Sequence, residues 1–157
     1  MLDKISEDHD SDFDRVTEIV ELLNKRRGAK KVAVRDSLES KLFTTPEATI
    51  RTLVSFFCVA SNSGGLYEEL HWGLSLEPQL EEVGADGCIA ALKRLEKIDQ
   101  EYRRLEQEIE QGKDVDQEYD ALWGKRQEAE IGAEGDFVWA TLLWNYANKH
   151  TGSILAK

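Results

Sequence analysis

The chain has 157 residues, with 31 Asp and Glu against 20 Lys and Arg, a formal net charge of −11. That balance argues against nucleic acid as a direct partner, because a phosphate backbone rewards Lys and Arg and repels carboxylates. No apolar run approaches the roughly 18–20 residues needed to span a bilayer, while a hydrophobic fraction of 41% with four Trp is enough for one packed core.

Helix formers dominate and only Pro46 and Pro78 interrupt them, which predicts an all-α fold. Residues 1–10 read as a disordered acidic N-terminus without a signal-peptide core. Ser11 with Asp14 three residues on is a helix start, and Phe13, Val16, Ile19, Val20 and Leu23 then form an apolar face up to about Arg27. Lys25, Arg26 and Arg27 suit the negative pole of that helix, and Gly28 stops it. Over residues 30–43 the pattern is less regular, and Val32, Val34, Leu38, Leu42 and Phe43 are compatible with a short helix.

Thr45-Pro46-Glu47 starts the next helix, whose nearly uncharged run from Ile50 to Ala60 marks it as the central, most buried one. Ser61-Asn62-Ser63-Gly64-Gly65 breaks it. Short pieces follow over Leu66–Leu74 and Glu77–Val83, the second closed by Gly84. Asp86 is expected to cap the longest helix, running to about Gly112 on the stripe Leu92, Leu95, Ile98, Tyr102, Leu105 and Ile109. A helix from Asp114 or Asp116 carries Tyr119, Leu122 and Trp123, and a last one opens at Glu134 or Asp136 and ends at Gly152. The expectation is a compact single-domain bundle of six or seven helices over residues 1–157.

Charge along this chain is segregated. Residues 1–24 carry a net −6, residues 25–51 a net +5, and residues 66–130 a net −10. None of the chemistry-bearing patterns reaches an enzyme signature. Asp10, Asp12, Asp14, Glu18 and Glu21 have calcium-loop spacing, but Arg15 stands where the loop requires glycine, so a helix with an acidic first turn is the reading. Glu68 and His71 form one Glu-x-x-His step, and the second step that a di-iron bundle needs is missing. A metal-dependent enzyme around Glu68, His71 and Cys58 is therefore the alternative from a different class. Cys58 and Cys88 lie in apolar patterns and read as reduced, buried thiols of a cytoplasmic protein. Gly64-Gly65 lacks a P-loop lysine and a preceding strand, and reads as a tight interhelical turn.

The stretch from Ala60 to Leu95 joins Asn62, Gly64, Gly65 and Tyr67 to the turn Val83-Gly84-Ala85 and to a long helix over Ile89–Leu95. Farther on come Leu95-Glu96-Lys97-Ile98-Asp99-Gln100-Glu101-Tyr102 and Leu143-Trp144-Asn145-Tyr146. Over roughly residues 48–150 this pattern resembles a family of small bacterial all-helical proteins whose best-known members are DNA mimics. It departs from that pattern in the inserted Ser63, in Leu66 where an aromatic is usual, and in Glu68-Glu69. The resemblance implies a non-enzymatic protein that sets carboxylates where DNA sets phosphates and so occupies the DNA site of a binding protein.

On the long helix Glu96, Asp99, Glu106 and Glu110 fall on one flank of the apolar stripe, interrupted by Arg103, and Glu101 and Glu108 fall on the other. Asp114, Asp116, Glu118 and Asp120 continue the series, with carboxylates three or four residues apart about 5–6 Å from one another. These ten are the candidate partner-binding residues, and Glu68, Glu69, Glu81 and Glu82 are second choices. The opposing reading is an ordinary solvated helix, neutralised by the i,i+4 pairs Lys97–Glu101, Asp99–Arg103 and Arg104–Glu108. The expected partner is a basic or DNA-binding protein, with no cofactor and no membrane. An immunity or inhibitor protein that neutralises a toxin or nuclease, and a helical adaptor with an exposed Trp, are the remaining alternatives.

Overall fold

The computed structural model describes residues 1–29, 42–131, 133 and 137–156. Among these the chain is all-α, with eight α-helices and no strand: α1 Leu2–Asp8, α2 Asp12–Arg27, α3 Thr45–Ser63, α4 Leu70–Ser75, α5 Glu77–Val83, α6 Asp86–Glu110, α7 Asp116–Ala129 and α8 Val138–Lys149. A 3₁₀ turn, Leu66–Glu69, leads into α4. The helix expected within residues 30–43 falls almost wholly outside the described residues, as do both expected start residues of the last helix.

The extra helix is α1, where the sequence suggests a disordered N-terminus. Leu2 and Ile5 are buried, and Arg15 of α2 donates from Nη2 to the carbonyls of His9 (2.7 Å) and Ser6 (3.3 Å). The His9 ring also pairs with the Glu18 carboxylate. Seven residues carry too little periodicity to register in sequence, and the side chain that holds them belongs to the next helix. That next helix is capped by Ser11, whose hydroxyl accepts from the Asp14 amide (3.2 Å), so of the calcium-like spacing Asp12 and Asp14 lie on the first helical turn and Glu18 and Glu21 farther along the same helix.

At the centre, α3 is fixed by a full capping box. The Thr44 hydroxyl accepts from the Glu47 amide (3.4 Å), and the Glu47 carboxylate accepts from the Thr44 amide (3.0 Å). The helix continues through Ser63, three residues beyond the expected end at Ala60, and Gly64 caps it at φ 104°. Ile50, Leu53 and Phe56 are fully enclosed; Phe57 stacks on Trp139 of α8 at 5.0 Å, and Phe56 meets Trp72 of α4 edge-on at 5.4 Å. Around α3, α2 packs on α3 and α8, whereas α6 packs on α4, α5 and above all α7.

The long helix begins after Ala85, without a side-chain cap from Asp86. Its stripe is buried from Leu92 to Leu105, while Ile109 projects into solvent. A turn at Gly112 (φ 79°) folds α7 back along α6, and the Asp114 carboxylate accepts from the Asp116 amide (3.1 Å) at the start of α7. The hairpin is antiparallel: Tyr102 packs on Tyr119 at 5.1 Å, and farther back Arg94 donates to the carbonyl of Ala129 (2.7 Å from Nη2) and to that of Ile131 (3.0 Å). Among the described residues no helix is long and apolar enough to cross a membrane.

Gly73 sets how closely α4 approaches the core. A Cβ there would lie 2.7 Å from Leu92 Cδ2 and 3.0 Å from Phe56 Cζ, both enclosed side chains with little room to retreat. Gly73→Ala should therefore lower stability by about 1–3 kcal/mol despite its better helix propensity. Urea unfolding monitored by circular dichroism measures this, and a variant as stable as the parent would show that the contact yields.

Candidate protein-binding face on the long helical hairpin

Of the four described cations of the basic segment, Arg26, Arg27 and Arg51 are engaged by groups of α2, α3 and the C-terminal tail rather than by the hairpin, while Lys25 is exposed. Glu47 is only 1% exposed, and besides the Thr44 amide it accepts from the Leu155 amide (3.3 Å) with Arg27 at 3.6 Å. Arg26 donates to the Leu155 carbonyl (2.7 Å), and the Thr44 hydroxyl donates to the Ser153 carbonyl (2.9 Å). Arg51 is buried, donates from Nε to Asn24 Oδ1 (2.7 Å) and lies 4.9 Å over the Phe43 ring. These groups join α2, α3 and the C-terminal tail, on the side of the molecule that does not carry α7.

The ten candidate carboxylates divide by what they already hold. Asp99 accepts from the Tyr67 hydroxyl (3.0 Å) and pairs with Arg103 (3.1 Å). Glu101 and Glu108 share Arg104, at 3.0 and 3.1 Å, and Asp114 serves the start of α7. The expected Lys97–Glu101 pair does not form; Arg104 takes its place. Glu96, Glu106, Glu110, Asp116, Glu118 and Asp120 are exposed and make no ion pair among the described residues. Glu106–Glu110 and Asp116–Asp120 are one helical turn apart.

The second-choice acids are structural to differing degrees. Glu68 is held by Arg126 at 2.7 Å and Glu69 is half-buried, while Glu82 accepts from the Tyr146 and Thr49 hydroxyls and Glu81 is exposed. His71 lies exposed on α4, and its would-be partner Glu68 is engaged elsewhere. Among the described residues no group of three or more His, Cys, Asp or Glu is arranged to hold a metal ion. Neither cysteine is in a disulfide, and only Cys88 is fully buried, a correction to the expected pair of buried thiols. Cys58 is half-buried, and its desolvation raises the thiol pKa, away from a reactive thiolate.

Sequence reasoning missed an aromatic cleft in the middle of this face. It measures about 330 Å³, and its walls include Tyr67, Tyr102, Tyr119 and Trp123. Trp72, Trp139 and Trp144 are buried, but Trp123 is 57% exposed and Tyr119 41%. Arg126 lies 4.1 Å over the Tyr67 ring and 5.1 Å from the Trp123 ring centre. Tyr119 and Trp123 stand four residues apart in a polar stretch, the one signal in sequence that could have found the cleft.

Gly64-Gly65 seats this cleft. Gly65 sits at φ 134°, and a Cβ there would lie 2.5 Å from Oε2 of Glu130, whose Oε1 accepts from the Tyr67 amide at 3.0 Å. Gly65 thus lets the backbone before Tyr67 close on the end of α7. No family model, curated protein or solved structure matches the chain.

Burial and the hydrogen bond to Asp99 push the Tyr67 phenol up to about 12; burial and Glu82 do the same for Tyr146. A phenol whose pKa is raised on folding favours the fold below its unfolded value near 10 and loses that contribution as pH climbs toward 12. Spectrophotometric titration should show two of the four tyrosines ionising at about 12. Tyr67→Phe should remove one of these late steps, whereas unchanged late absorbance would place the shift on another residue.

Proposed function

We propose that this protein acts by binding rather than by catalysis, offering the α6–α7 hairpin to the DNA-binding site of a basic protein. The observation that carries the reading is the separation of charge. Six exposed, unpaired carboxylates lie on the hairpin, while Arg26, Arg27 and Arg51 are engaged on the α2–α3 side. The i,i+3 and i,i+4 pairs that would make this an ordinary neutral helix face engage Asp99, Glu101 and Glu108 but hold none of Glu106, Glu110, Asp116 and Asp120 in an ion pair. The resemblance to the DNA-mimic family points the same way, and the spacing of Glu106–Glu110 and Asp116–Asp120 suits a surface that normally meets phosphates.

Binding driven by such a surface depends on salt. Affinity for a synthetic helix of alternating Arg and Lys should fall about tenfold or more between roughly 0.05 and 0.2 M salt, and duplex DNA should compete for the same peptide. The triple variant Glu106→Gln, Asp116→Asn, Asp120→Asn should weaken binding by about tenfold at low salt and flatten the salt dependence. Glu7→Gln with Asp8→Asn on α1 should leave both unchanged. Titration calorimetry measures all four, and an equal loss in the two variants, or affinity indifferent to salt, would contradict the reading.

A further inference from the structure

We propose that the α6–α7 cleft receives an arginine side chain of the partner, stacked on Trp123 and paired with Glu106. This rests on the protein-binding reading and adds a specific contact to it. An indole left 57% in water at the centre of a charged face is a poor use of a large apolar ring unless something covers it. Exposed Trp rimmed by polar groups is the usual composition of a binding hot spot. A cleft of about 330 Å³ is at the small end of ligand-holding spaces, suited to one side chain rather than a cofactor.

The chemistry of the walls selects the guanidinium. The protein already rests one there, since Arg126 lies over Tyr67 at 4.1 Å and beside Trp123 at 5.1 Å, so these ring faces are oriented to attract a cation. The two cations at the cleft are already compensated, Arg126 by Glu68 at 2.7 Å and Arg103 by Asp99 at 3.1 Å. Glu106 lines the same cleft without an ion pair, and Asp116 and Asp120 share a side of α7 with Trp123. The uncompensated charge around the opening is therefore negative. A planar guanidinium can stack on the indole and take the carboxylate with its fork at once; a lysine ammonium, compact and strongly hydrated, cannot do both.

The test uses two helical peptides of equal length and charge, one with arginine as its only cation and one with lysine, titrated into the full chain. The wild type should bind the arginine peptide about tenfold more tightly. Trp123→Ala should remove most of that preference while leaving the lysine peptide and the salt dependence unchanged, and Trp123→Phe should retain part of it. Because Trp123 is exposed, the variants should keep wild-type helix content by circular dichroism. A wild type without preference, a preference that survives Trp123→Ala, or an equal loss for both peptides would each overturn the cleft assignment while leaving the acidic face intact. A wild type that binds neither peptide at low salt would overturn both proposals together.

Discussion

A carboxylate with 1% of its surface in water must be surrounded by donors, and Glu47 is such a group. Its position at the third residue of α3 makes it half of a capping box, so the charge is placed by local helix chemistry before any tertiary contact forms. Meeting that charge then recruits distant parts of the chain: the end of α2 through Arg27, and the C-terminal tail through the Leu155 amide. Arg26 closes the same junction on the Leu155 carbonyl. One buried acid thereby ties α3 to the end of α2 and to the C-terminal tail.

The consequence lies in the α6–α7 hairpin. With Arg26, Arg27 and Arg51 held around α2 and α3, the hairpin of α6 and α7 depends on its own bases for compensation, and these do not suffice. Arg103 and Arg104 reach Asp99, Glu101 and Glu108, and Arg126 reaches across to Glu68. The hairpin itself is secured by apolar burial and by side chains bonded to backbone groups rather than by ion pairs. The α6 stripe is buried, Arg94 caps the end of α7 through carbonyls, and Glu130 accepts the Tyr67 amide beside Gly65. Stability and surface charge are thus assigned to different groups, which leaves the exposed carboxylates and Trp123 available to a partner.

Features governed by near neighbours were legible in the sequence. The Ser11 cap, the stop at Gly28 and the buried stripe of α6 all follow from spacings within a few residues. Gly64-Gly65 could be read as a turn, but its reason is Glu130, more than sixty residues away, whose carboxylate occupies the space a Cβ would take. The destination of the basic segment was hidden for the same reason, since Arg26 ends on a carbonyl 129 residues distant. The sequence places Tyr119, Leu122 and Trp123 on one helix without separating which of them faces the core. Only Leu122 is buried, because α7 meets a single neighbour along most of its length and has one narrow inner side. The acidic candidates were found, but which of them are spent on Tyr67, Arg103, Arg104 and the start of α7 depends on side-chain reach that composition does not encode.

The central claim is that the hairpin, and not the rest of the acidic surface, meets the partner. Chemical-shift mapping on the ¹⁵N-labelled chain with an arginine-only helical peptide tests it most directly. The account predicts that the Trp123 indole N–H and the amides of α6 and α7 shift together and saturate along one curve, with α1, α2 and α3 unmoved. Shifts centred on α1 and α2, where another net-negative stretch lies, with Trp123 unmoved, would contradict it.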